Sequence, residues 1–155
     1  VISHAPDGYV CPFCRNINEG KGDLPLEMIH AYDEVVVKMN PKWWRANKGA
    51  LLVVPNAHFE NVYDLPVELG TPLQVAIRDA AHALKRAFNC DGVSTRQHNE
   101  PAGYQDVWHY HVHVFPRYEG DELYASRDVY WPEADEMRAL ADKLRAHWPG
   151  EKVKG

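Results

Sequence analysis

Trp108-His109-Tyr110-His111-Val112-His113-Val114-Phe115 is the stretch on which the reading of this chain turns. Imidazoles alternate with Tyr110, Val112 and Val114, and strand side chains point alternately to opposite faces. The alternation predicts a strand over residues 107–115, with His109, His111 and His113 about 7 Å apart on one face. Tyr110, Val112 and Val114 then face the core. Three imidazoles in a row cover a core poorly, because each buried ring needs hydrogen-bond partners. Three readings stay open on the residues alone. One is a polar solvent face, another a three-histidine metal site, and the third nucleophilic catalysis at phosphorus. A jelly-roll metal site needs many more short strands and no long helix.

Outward from that strand, Asp91-Gly92 turns the chain into a further strand over residues 93–98, and Asn99-Glu100-Pro101-Ala102-Gly103 forms a loop. Upstream, Leu69, Leu73, Ala76, Ile77, Ala80, Leu84, Ala87 and Phe88 recur at three- and four-residue steps, which predicts a long helix. Leu51-Leu52-Val53-Val54 reads as a short buried strand ended by Pro55, and residues 40–49 as a loop. Residues 27–32 and 34–39 read as two strands around a tight turn at Asp33. A last amphipathic helix runs from Pro132 to Trp148, with Met137, Leu140 and Leu144 on one side. The expected class is α+β: an antiparallel five-stranded sheet, one long central helix and a C-terminal helix.

A chain of 155 residues fits one domain spanning 1–155, opened by a turn-rich arm over residues 1–25. A net charge of −5 with no cluster of Lys and Arg argues against a grip on a nucleic-acid polymer. No apolar run approaches the ~18 residues of a membrane span, and no signal peptide is apparent. Three cysteines, an odd number, suit a reducing cytoplasm better than a disulfide scaffold. Nine histidines are the unusual entry in the composition.

The stretch from Asn99 to Arg117, with Gln105, the alternating histidines and the trailing Pro116-Arg117, resembles the histidine triad (HIT) superfamily, in its zinc-bearing bacterial hydrolase branch. The resemblance extends to Leu51-Leu52-Val53-Val54-Pro55 with His58 and to the helix before Gly92, so it covers most of the chain. It implies that His111 is the nucleophile that takes up a nucleotidyl group. A backbone carbonyl would hold its far ring nitrogen and leave Nε2 free. It implies that His113 contacts phosphate oxygens and assists the leaving group, that Gln105 and the Gly103 loop donate to phosphate, that Asn99 lies near the nucleotide, and that Phe13 lies against the base. The expected activity is hydrolysis of a dinucleoside polyphosphate or related nucleotidyl ester through a nucleotidyl-histidine. A transferase or phosphorylase using the same intermediate, and a nucleotide-binding regulatory module, are the alternatives. The family also implies a homodimer.

Cys11-Pro12-Phe13-Cys14 alone resembles a glutaredoxin-like redox motif, but that motif should follow a buried strand and open a helix. The turn-rich flanks here predict neither. The HIT resemblance implies instead a structural zinc held by Cys11, Cys14, His58 and His109, which makes His109 a ligand and not a catalytic group. His98 is expected to point away from the site, opposite Gln97 and Asn99. Asp106 stands where a carboxylate would repel phosphate unless it turns away or meets a cation. Arg117 is placed near the leaving phosphates or at a solvated strand end. Trp43 and Trp44 either cover the core edge or stack on a ligand. Cys90 is expected to be a buried filler.

Overall fold

Two apolar runs, Val35-Val36-Val37 and Leu51-Leu52-Val53-Val54, form the middle of the sheet and are buried at every residue. Antiparallel strands usually alternate buried and solvated residues, and unbroken burial means that both faces are covered. The structure, a computed structural model, describes residues 2–18 and 27–150. The rest of the expected N-terminal arm, residues 1 and 19–25, lies outside them.

In chain order, α1 (Pro12–Asn18) precedes the hairpin β1 (Met28–Ala31) and β2 (Val35–Met39). There follow β3 (Trp43–Trp44), β4 (Leu51–Pro55), the long α2 (Gly70–Phe88) and β5 (Gly92–Gln97). The chain ends with β6 (Val112–Arg117), β7 (Val129–Tyr130) and α3 (Ala134–Ala146). Five strands form one antiparallel sheet in the order β1-β2-β4-β6-β5. The α+β class, the five-stranded sheet and both long helices stand as the sequence predicts.

One face of the sheet carries Val35, Val37, Met39, Leu51, Val53, Val112 and Val114 against Leu73, Ala76, Ala80 and Leu84 of α2 and Met137, Ala141 and Leu144 of α3. Cys90 is buried in this core too. Asn89 closes α2 in the left-handed conformation at φ 50, its N–H donating to the Lys85 carbonyl at 3.1 Å. Gly49 has φ +85, and a Cβ there would come within 2.6 Å of the Phe88 ring, so the chain entering β4 passes the helix end only as glycine. On the other face, Val36, Leu52 and Val54 meet Cys11 and Phe13 of the N-terminal arm.

Three local expectations change. The Cys11–Cys14 motif does open a helix, α1, with Pro12 at its first position. Seven residues are too few to show a period, and the turn is held by packing of Phe13 and Ile17 against the sheet. No buried strand precedes it among the described residues, so only half of the redox context is met. The histidine strand begins at Val112 and not at 107. Ahead of it, the Tyr110 N–H donates to the Phe59 carbonyl at 2.6 Å and the Trp108 N–H to the Tyr9 hydroxyl at 3.1 Å. Those amides bind loops instead of β4. Finally, the expected loop over residues 40–49 contains β3, whose Trp43 and Trp44 pair with Tyr130 and Val129 of β7.

Among the described residues, Lys38 is the one charged side chain sealed under the arm, at 1% exposure, with its Nζ lacking any hydrogen-bond partner. Burial pushes its pKa down to about 8. Below that pH both folded and unfolded chains carry the charge, and the folded state bears the cost of desolvating it. Between about 8 and the ordinary 10.5 the folded chain has released the proton while the unfolded chain retains it, so stability rises with pH across that window. Lys38→Met should therefore stabilise the protein by about 2 kcal/mol at pH 7 and remove the rise. Urea unfolding at pH 7, 8 and 10 checks both effects.

Candidate functional site

The extended run before β6 carries His109 and His111, and β6 itself carries His113. Their side chains fall on the face away from α2, as the alternation predicts, while Tyr110, Val112 and Val114 enter the core. The three rings nevertheless take part in two different arrangements.

His109 is fully buried beside Cys11, Cys14 and His58, and the four ligand-type atoms lie within 4.8 Å of one another. Cys11 Sγ is 3.3 Å and Cys14 Sγ 3.5 Å from His109 Nδ1, and Cys14 Sγ is 3.3 Å from His58 Nδ1. A tetrahedral zinc with bonds of about 2.0–2.3 Å brings its ligand atoms to roughly these separations. The tautomer agrees as well. His109 Nε2 lies 2.9 Å from the Pro55 carbonyl, which only accepts, so Nε2 carries the proton and Nδ1 turns a lone pair toward the thiols. Burial pushes His109 down to about 4, which keeps the ring neutral as a ligand must be. The donor set fits a closed Cys₂His₂ centre.

His111 sits one turn of the alternation further, buried at the end of a cavity of about 420 Å³. Its Nδ1 is 2.7 Å from the His109 carbonyl and must donate to it, so Nε2 bears the lone pair. Burial lowers its pKa. His113 lies alongside, with ring centroids 4.9 Å apart. The Asn40 side-chain amide approaches His113 Nδ1 at 3.4 Å, and its oxygen is occupied by the Lys42 N–H at 3.2 Å. The amide nitrogen therefore donates, Nδ1 accepts, and the His113 proton resides on Nε2. Burial, with His111, Arg96 and His98 nearby, pushes His113 down to about 3. The two rings thus offer a nucleophilic lone pair and an N–H donor side by side at neutral pH. Phe13 from α1 packs T-shaped against both His109 and His111, at centroid distances of 5.7 and 5.2 Å, and lines the cavity.

Of the residues expected around phosphate, Gln105 and Asn99 do not reach the cavity wall. The Gln105 amide donates to the Glu60 and Val107 carbonyls and its oxygen accepts the Glu100 N–H, bracing the loop before the triad. Asn99 exchanges two hydrogen bonds of 2.9 Å with Gln97 and accepts the Val62 N–H. The alternation along β5 has the opposite phase to the expected one: Gln97 and Asn99 turn to the loops, and Arg96 and His98 line the cavity. His98 donates from Nδ1 to the Gly103 carbonyl at 2.6 Å. Arg117 is removed from the site by its ion pair with Asp121 at 2.8 Å and a bond to Ser94. Asp106 is exposed on the cavity rim. The tryptophan pair divides, Trp43 in the core and Trp44 on the cavity wall, which Trp131 also lines. Arg96 was visible in principle, since pairing β5 with β6 in this register sets it across from His113.

A family model for the HIT domain matches residues 31–120. Protein hit of Bacillus subtilis is 34% identical over 128 residues, covering 79% of this chain and 85% of that protein. Adenylylsulfatase HINT3 of Arabidopsis thaliana is 25% identical over 121 residues, 77% of this chain and 58% of its own length. The Hit-like protein involved in cell-cycle regulation from Bartonella henselae superposes with a TM-score of 0.76 at 28% identity, covering 93% of this chain and 99% of that one. A Zn-bound histidine triad family protein from Mycobacterium smegmatis superposes at 0.70 and 24% identity, covering 88% and 94%.

The tautomer is measurable. In ¹⁵N-labelled protein at pH 6, below the ordinary histidine value of 6.5, His111 should show a protonated Nδ1 and a bare Nε2. A doubly protonated His111 ring at that pH contradicts the geometry.

Proposed function

Because the chain belongs to the HIT domain family, we propose that it is a nucleotidyl hydrolase acting on a dinucleoside polyphosphate or related nucleotidyl ester, with His111 as nucleophile. The observation that carries this reading is the hydrogen bond from His111 Nδ1 to the His109 carbonyl, which frees Nε2 inside the cavity. Attack by Nε2 on the α-phosphorus forms a P–N bond as the P–O bond to the leaving group breaks. His113 Nε2–H hydrogen-bonds a phosphate oxygen and offsets charge that grows in the transition state. Water then displaces the imidazole and releases the nucleoside monophosphate. The name of the Arabidopsis relative, an adenylylsulfatase, describes cleavage at the same kind of nucleotidyl bond. The base stacks in the apolar part of the cavity, against Phe13 and Leu52. Gln105 and Asn99 serve by holding the loop in front of the phosphate. The proposed assembly is a homodimer, as the family resemblance implies.

Cys11, Cys14, His58 and His109 hold a structural zinc in this account. When bound by four protein ligands, the ion offers no open position and acts as a crosslink between the arm and the segment before β6. The chain's own contribution is to fix the carbonyl that orients His111.

His111→Ala should lower kcat/KM at least about a thousandfold while the Kd for nucleoside monophosphate stays within about threefold. Full turnover in that variant would falsify the reading. Metal analysis should return about one zinc per chain. Cys14→Ser should lose it and cost about 3 kcal/mol, a drop of roughly 6–12 °C in Tm by calorimetry.

A further inference from the structure

The cavity wall carries a positive charge with no role in the steps above. Arg96 lies on the edge strand β5, directly across the ladder from His113. Its guanidinium carbon stands 5.0 Å from the Phe115 ring, 5.2 Å from Trp44 and 5.5 Å from Tyr124. Its Nε is buried without a hydrogen-bond partner, and no carboxylate among the described residues pairs with it. Asp106, on the rim of the same cavity, makes no ion pair with it. The contrast with Arg117 is direct: that guanidinium has Asp121 on two nitrogens and Ser94 on the third. Arg96 instead meets three aromatic rings, which hold a cation in place without neutralising it, and lies across the ladder from His113. An arginine fixed in this way beside a nucleophile and an N–H donor is a ready anion site, already oriented before the ligand arrives.

We propose that Arg96 binds the departing anion, so that this site selects nucleotidyl compounds whose leaving group is itself a phosphate, polyphosphate or sulfate. The proposal rests on the nucleotidyl-transfer reading and deepens it by naming the leaving-group class. As His111 Nε2 bonds to the α-phosphorus, the P–O bond breaks and its electron pair stays on the leaving oxygen. The anion departs unprotonated, its new charge offset by the guanidinium. A leaving amine gains nothing from that contact, since it needs a proton and carries no negative charge.

Two measurements on the full chain test the assignment. Calorimetric titration with inorganic tripolyphosphate should show binding that weakens about 30-fold in Arg96→Met, recovers partly in Arg96→Lys and persists in His111→Ala. No binding by the wild type, or equal binding by Arg96→Met, overturns the proposal. Turnover is then compared for diadenosine tetraphosphate, adenosine 5′-phosphosulfate and adenosine 5′-phosphoramidate. Arg96→Met should lose about 30-fold in kcat/KM on the first two and less than about threefold on the third. An equal loss on all three overturns it, because a merely structural arginine would affect them alike. If Arg96 binds tripolyphosphate but no nucleotidyl compound is cleaved, the nucleotidyl-transfer reading fails while the anion site stands.

Discussion

The hydrogen bond from His111 Nδ1 to the His109 carbonyl, 2.7 Å long, joins two sites that share no ligating atom. Its acceptor is unusually well fixed. The His109 ring is held at Nε2 by the Pro55 carbonyl at the end of β4 and turns Nδ1 into the thiol cluster. Two residues later, the same chain presents a lone pair to the cavity. The geometry of the Cys₂His₂ cluster and the tautomer of His111 are therefore linked through one peptide unit. This also explains why the chain leaves the ladder before Val112. A regular strand would commit the Tyr110 amide to a neighbouring strand, whereas here it reaches the Phe59 carbonyl and lets the run bend toward the arm.

The arm matters because both long helices, α2 and α3, lie on one face of the sheet. On the face opposite α2, Val36, Leu52 and Val54 would meet water without Cys11 and Phe13. Phe13 closes the apolar layer, touches both histidine rings and forms part of the cavity wall. Lys38 lies under the same ring, 5.3 Å from its centroid, in the cross-strand row that continues through Leu52 and His113 to Arg96. One row of the sheet thus runs from a sealed lysine to an arginine on the cavity wall, with Leu52 and His113 between them.

Much of this was legible in the residues. Period-two and period-four patterns gave the sheet and both long helices, and the resemblance to the HIT superfamily identified the groups that meet in the cluster. The failures have physical causes. A seven-residue helix such as α1 carries no period and is made by packing. A two-residue ribbon such as β3–β7 is set by contact between Trp43 and Tyr130, residues far apart in the chain. For β5, alternation correctly put His98 opposite Gln97 and Asn99, but it does not say which set faces the cavity. That choice follows from the register with β6, and it reversed the roles expected of Asn99 and His98. Gln105 spends both ends of its amide on the loop and does not line the cavity.

The central claim is that His111 Nε2 becomes covalently attached to the nucleotidyl group. Brief exposure of the protein to diadenosine tetraphosphate, denaturation at alkaline pH where a P–N bond survives, and peptide mass spectrometry tests it most directly. The account predicts one adenylyl group on the peptide carrying His111, localised to that side chain. Steady hydrolysis with no adduct trapped, or an adduct on His98 or His113 instead, would contradict it.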